Sequence, residues 1–199
     1  MKEEAPDVHP RLRRGVLSLL LLLIVSGCHT AKVAQPLTGK LSGNDPDSQL
    51  EFWHTLATRP VTSNDEAFHG LLLYADGEDP AKDYPGRVAV LKQRKMLPQS
   101  FDRPADEAVQ RGPLAQAICK ALDIKGGLML RLSGAQRYAV RELQFLELYP
   151  PSGPNQTYSG SEYLGIIGRM EDFQRGNPAD APATVMPGEM KAAAPPARK

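Results

Sequence analysis

Glu66-Ala67-Phe68-His69 sets a carboxylate three residues before an imidazole, and Asp65 stands four before the same histidine. On a helix these spacings share one face. Acid–base work and metal ligation both draw on such groups. Glu-x-x-His is the unit of di-iron carboxylate bundles, which also need facing helices that bring further glutamates. Ser63-Asn64-Asp65-Glu66 gives Glu66 a different task, because it reads as a capping box at a helix start. No metal site, no cofactor and no catalytic residue is therefore assigned, and His54, beside Trp53, reads as a rim residue. Cys119 lies in an apolar helical pattern near Ala115 and Leu122, and free cysteine is among the most buried residue types. Gly-x-Ser-x-Gly, Ser-x-x-Lys and a Gly-rich phosphate loop are all absent from the chain. Lys92-Gln93-Arg94-Lys95 is a basic face suited to solvent or to anionic headgroups. The loop from Tyr149 to Tyr158 is dense in Pro, Gly and aromatic residues, and such loops carry binding. Tyr149, Asn155 and Tyr158 are the candidate binding residues.

The chain opens with a basic cluster, Arg11, Arg13 and Arg14, followed by an apolar run from Gly15 to Val25 broken only by Ser18. Basic, apolar and small-residue zones in that order make a secretory leader. As a helix the apolar run reaches roughly 16–20 Å. A hydrocarbon core is about 30 Å thick, so the run is too short to remain as a span. Val25-Ser26-Gly27-Cys28 resembles the lipobox of bacterial lipoproteins. The resemblance covers residues 1–28 only. It implies cleavage before Cys28, a diacylglyceryl thioether on Cys28, and acylation, palmitate among the chains, that anchors the protein to a membrane. Two or more acyl chains hold stably where one binds marginally. His29 stands where an aspartate is the usual inner-membrane retention signal, so the outer membrane is favoured.

Residues 1–27 hold Lys2, Arg11, Arg13 and Arg14 against Glu3, Glu4 and Asp7, so the remainder of 24 basic and 23 acidic residues balances. Nucleic-acid binders carry a basic excess, and that partner class is disfavoured. With Cys28 lipidated, only Cys119 is left, and the fold must stand on its core without a disulfide. Residues 28–47 are polar and rich in Gly, Pro, Ser, Asn and Asp, and read as a lipidated flexible tether. Residues 174–199 are dominated by Pro and Ala and read as a disordered tail.

A single globular domain is expected over 48–173. Helices are expected over about 48–59 with Leu50, Trp53 and Leu56 inward, from the Ser63 cap to about 76, over about 87–97, and over 113–122. A further helix follows the second capping box, Ser159-Gly160-Ser161-Glu162. Leu128–Leu132 alternates in part and reads as a strand, while 138–149 fits neither period cleanly and is either part of a helix from Ala135 to Phe145 or a strand pairing with 128–132 across a Ser-Gly turn. The expected class is α+β, mainly helical with a small β-hairpin or short sheet; an all-α bundle is the alternative. Leu132-Ser133 to Val140 resembles in part a stretch of OmpA-like peptidoglycan-binding domains. Gln136 stands where that family has arginine, so no role is carried over. The residues favour a membrane-anchored envelope lipoprotein that is a non-enzymatic binding or assembly module, with another envelope protein as partner. The alternatives are an enzyme with scattered site residues and a module for cell-wall or other ligands.

Overall fold

The computed structural model describes residues 31–176. The leader, Cys28 and the tail from residue 177 lie outside the described residues.

Four of the helices begin where the sequence supplies a side-chain acceptor for their free amides. Asp45 accepts from the Ser48 amide at 2.9 Å and Pro46 takes the first position, which opens α1 (Pro46–Ala57). Ser63 and Glu66 close the expected box. The Ser63 hydroxyl accepts from the Glu66 amide at 3.2 Å, and the Ser63 amide donates to Glu66 at 2.8 Å. That opens α2 (Asn64–Asp76). Asp83 caps α3 (Tyr84–Gln93) by accepting from the Gly86 amide. After α4 (Arg111–Ala121), α5 (Leu128–Ser133) and α6 (Gln136–Phe145), the second box, Ser159 with Glu162, opens α7 (Gly160–Gly176).

Three helices end by one device. Lys95, Asp123 and Glu147 take positive φ (58°, 48° and 59°), and the next amide donates back across the last turn. Met96 bonds to Leu91 at 2.9 Å, Ile124 to Cys119 at 2.8 Å and Leu148 to Leu143 at 2.8 Å. This is the Schellman closure, and it turns an apolar residue onto the helix end it has just left.

Helix α2 is the centre, with every residue from Asn64 to Leu73 buried. It packs against α3 and α7, while α1 packs on α7 and α4 on α6. Phe52, Leu56, Phe68, Leu71, Leu72, Leu91, Leu114, Ile118, Leu143 and Tyr163 fill the core. In α1 the inward residues are Phe52 and Leu56; Leu50 is exposed and Trp53 only partly covered, so the buried stripe is rotated from the one expected.

The fold is mainly helical, and among the described residues no strand forms. The expected strand at Leu128–Leu132 is α5, and the ambiguous 138–149 is largely α6. The reason is partnership. A lone strand needs a neighbour, and the only segment placed to pair with it buries Ala139, Val140 and Leu143 as one face of a helix against α4. Leucines, which are not branched at Cβ, favour a helix when no ladder is on offer. Extended pairing survives as three isolated bridges, Lys32 to Glu107, Ser63 to Ala108 and Gln110 to Thr157.

The segment expected as a free tether is folded onto the domain from Lys32 on, and the compact unit starts there. The Val33 amide donates to Asp106, and Val33, Leu37 and Thr38 are buried. No described helix is long and apolar enough to cross a membrane.

Candidate functional site

The acid–base residues singled out in the sequence meet a cation that was not. Arg87 enters the core one turn before Leu91 on α3 and is 1 % exposed. Its Nη1 donates to Asp65 Oδ1 at 2.6 Å and its Nε to Asp79 Oδ2 at 2.5 Å. His69 Nδ1 lies 2.6 Å from the same Asp79 oxygen. An ionised carboxylate only accepts, so the shared hydrogen sits on Nδ1. The other Asp79 oxygen accepts from the Ala81 amide at 2.9 Å. Burial alone would raise the Asp79 carboxyl. The hydrogen bonds from His69, Arg87 and Ala81, with the Arg87 charge, outweigh burial and hold it below its ordinary value.

Asp65 also accepts from the Thr38 hydroxyl, and Glu66 from the Leu37 amide at 3.0 Å. The cluster therefore ties the N-terminal segment, α2, the 77–83 turn and α3 together. Only Asp65 reaches its edge: Glu66, His69 and the Asp79 side chain have no exposed surface, while the Asp65 side chain is 11 % exposed. His69 Nε2 and Arg87 Nη2 have no hydrogen-bond partner among the described residues. One edge of the cluster is apolar, with Phe52 edge-on to the His69 ring at 4.6 Å.

The Glu-x-x-His spacing recurs in α1 as Glu51-Phe52-Trp53-His54. The structure does not bring the two units face to face. Glu51 and His54 are exposed, and Phe52 lies between them and His69. Glu66 spends both oxygens on Ser63 and Leu37. No group of three His, Cys, Asp or Glu side chains is placed to hold a metal among the described residues.

Of the three residues expected to bind, Tyr149 and Tyr158 are buried edge to face with each other, and Asn155 is exposed. Their loop is strapped to the start of α4: the Arg111 amide donates to Gln156 and the Gly112 amide to Pro154, both at 2.8 Å. Arg111 itself lies 4.5 Å over the Tyr158 ring and pairs with Glu162 at 2.9 Å. Backbone hydrogen bonding at Ser159 opposes burial and, with Arg111, holds the Glu162 carboxyl below its ordinary value.

Comparison with family models, curated proteins and solved structures finds no match.

Asn155 borders an open hollow of about 530 Å³ with Arg111 and Glu162, and another of about 720 Å³ lies beside Leu50, Trp53 and His54; the concave surface richest in cations lies elsewhere. A groove of about 640 Å³ runs between the ends of α3 and α4 and along α5. Met96, Leu97, Cys119, Ile124 and Leu130 make it apolar, and Lys95, Lys120, Lys125 and Arg131 face a single carboxylate, Asp123. The volume falls within the range of small-ligand sites. Two of the Schellman closures build it, because they set Met96 and Ile124 at adjacent helix ends. Sequence periodicity registers neither residue as part of a face. Cys119 borders the groove but is not a nucleophile at neutral pH: burial, reinforced by Glu142 and partly opposed by Lys120, pushes its thiol up to about 12. The thiolate is the reactive form. In the chain from Cys28 on with Cys28→Ser, a charged thiol reagent at about pH 8 should leave the native protein unlabelled and label the denatured chain completely. Rapid native labelling would place Cys119 at the surface.

Proposed function

We propose that this chain is a lipid-anchored binding module of the bacterial cell envelope, held by Cys28 in the membrane, with the outer membrane favoured, and acting through its surface rather than by catalysis. One observation carries the reading. Asp65, Glu66, His69 and Asp79 are buried, and each is committed to a partner: His69 to Asp79, both aspartates to Arg87, and Glu66 to Ser63 and Leu37, while the open groove offers cations and apolar side chains. That inventory attracts and holds; it has no nucleophile–base pair to react with. The exposed Asn155 and the groove are the surfaces through which an envelope partner would be met.

Metabolic labelling with a clickable fatty acid tests the anchor. The wild-type chain should take up label and sediment with membranes; Cys28→Ser should lose the label and leave them. An unlabelled wild type, or a labelled Cys28→Ser chain, sinks the reading. Photo-crosslinkers at Asn155 and Gln99 in living cells then test the binding role. A recurrent product from either position is expected, and none from both would count against it.

A further inference from the structure

We propose that the groove and the outward face of α5 together form a docking surface for anionic phospholipid, so that the domain lies against the bilayer that its anchor enters. The proposal deepens the lipid-anchored reading and takes its choice of occupant from it.

The first support is apolar exposure. Leu128 and Leu132 are 70 % and 74 % exposed and, four apart on α5, share a face. Met129 is 50 % and Phe145 83 % exposed. These are four of the five large apolar side chains that the described residues leave in solvent, and they fall on two adjoining helices. Glu142 accepts from the Gly127 amide at 3.0 Å, which seats the start of α5 on the end of α6. Leu128 and Phe145 flank that junction.

The second support is charge. Lys95, Lys120, Lys125 and Arg131 line the groove beside this face, and none of them forms an ion pair among the described residues. Arg131 stands between Leu130 and Leu132 on α5 itself. Interfacial helices combine an apolar face with flanking Lys and Arg, and the cations gain from anionic headgroups. A soluble protein partner would need complementary shape; a lipid surface needs only this pairing of apolar wedge and cations.

The third support is reach. The compact unit begins at Lys32, and the few residues back to Cys28 span at most about 14 Å of extended chain. A tether that short holds the domain at the bilayer at high effective concentration, where even a weak lipid contact is occupied.

The chain from Cys28 on, carrying Cys28→Ser and so without lipid, is sedimented with vesicles of phosphatidylcholine alone or with about one-third phosphatidylglycerol. Binding should be roughly tenfold stronger on the anionic vesicles and weaken as salt rises. Combining Lys120→Glu, Lys125→Glu and Arg131→Glu should abolish it, as should combining Leu128→Ser, Leu132→Ser and Phe145→Ser. Leu50→Ser with Lys82→Glu, exposed changes elsewhere, should leave it unchanged. Circular dichroism checks that each variant is folded. Absence of vesicle binding, equal binding to neutral vesicles, or indifference to both triple variants overturns the proposal, as does capture of a protein at this face without vesicle binding. Such a failure leaves the Cys28 labelling result standing, and an unlabelled Cys28 leaves the vesicle result standing.

Discussion

Arg87→Met lowers the melting temperature by about 10–20 °C, as measured by thermal unfolding of the Cys28→Ser chain. Methionine keeps the length of the side chain and removes its donors. Asp65 then retains the Thr38 hydroxyl, and Asp79 retains His69 and the Ala81 amide, but neither buried carboxylate keeps a guanidinium. Removing one partner of a buried pair costs about 3–5 kcal/mol, because a charge is left without compensation. Arg87→Lys should recover only part of the loss, since one ammonium cannot reproduce a fork aimed at two carboxylates. The pH dependence has a definite sign. Asp79 is held below its ordinary value near 3.8. Its stabilisation is therefore present above that pH and lost as pH falls through the lower, folded value. Arg87 is among the groups that hold it down, so the acid limb of unfolding should begin at higher pH in Arg87→Met. A melting temperature within two or three degrees of wild type would mean that the cluster is hydrated and open, and would return His69 and Asp79 to consideration as reactive groups.

The parts of this architecture legible in the sequence were those set by local chemistry. Both capping boxes stand where Ser63 and Ser159 announce them, because a cap is decided within four residues. The burial of Cys119 was legible for a similar reason, from the apolar period of its own helix. Arg87 was not. Read alone it belongs on a solvated face, and only the meeting of two remote carboxylates, Asp65 on α2 and Asp79 in the 77–83 turn, brings it inside. Tyr149 and Tyr158 read as a binding loop for a similar reason: Tyr158 is covered by the remote Arg111, and Tyr149 packs edge to face on Tyr158. The groove is not legible in the sequence, because its floor is made at helix ends, outside any period, and because α5 carries the alternation of a strand. Leu128, Leu130 and Leu132 satisfy the alternation of a strand, while Leu128 and Leu132 also satisfy helical spacing. The deciding fact, that the only available partner strand is itself a helix, is tertiary.

Gly160→Ala is the second large effect, and its sign separates tertiary from local control. Alanine is a better helix former than glycine, by up to about 1 kcal/mol, and Gly160 is the first residue of α7. Propensity alone therefore predicts stabilisation. A Cβ at this position would lie 1.6 Å from the Leu56 carbonyl oxygen and 2.6 Å from its carbon. Those atoms belong to the backbone at the end of α1, where the Leu56 carbonyl already accepts from Arg59 and the Gly160 amide donates to Arg59 at 2.9 Å. No side chain can swing aside, so α7 must move away from α1. That movement also loosens Tyr163, whose hydroxyl donates to the Ala67 carbonyl at 2.7 Å in the core. Overpacking costs typically 1–3 kcal/mol, and a clash with fixed backbone belongs at the upper end, so a fall of about 10 °C in melting temperature is expected. Gly112→Ala provides the contrast. Its Cβ would meet the Gln136 Oε1 at 2.6 Å, the far end of a flexible side chain that can swing away, and the Gln136 Cβ at 3.0 Å, which has to give by only a few tenths of an ångström, so the cost should stay at about 1 kcal/mol, the lower end of overpacking. Equal melting temperatures for the two variants, or a stabilised Gly160→Ala, would mean that α1 and α7 do not meet at Gly160.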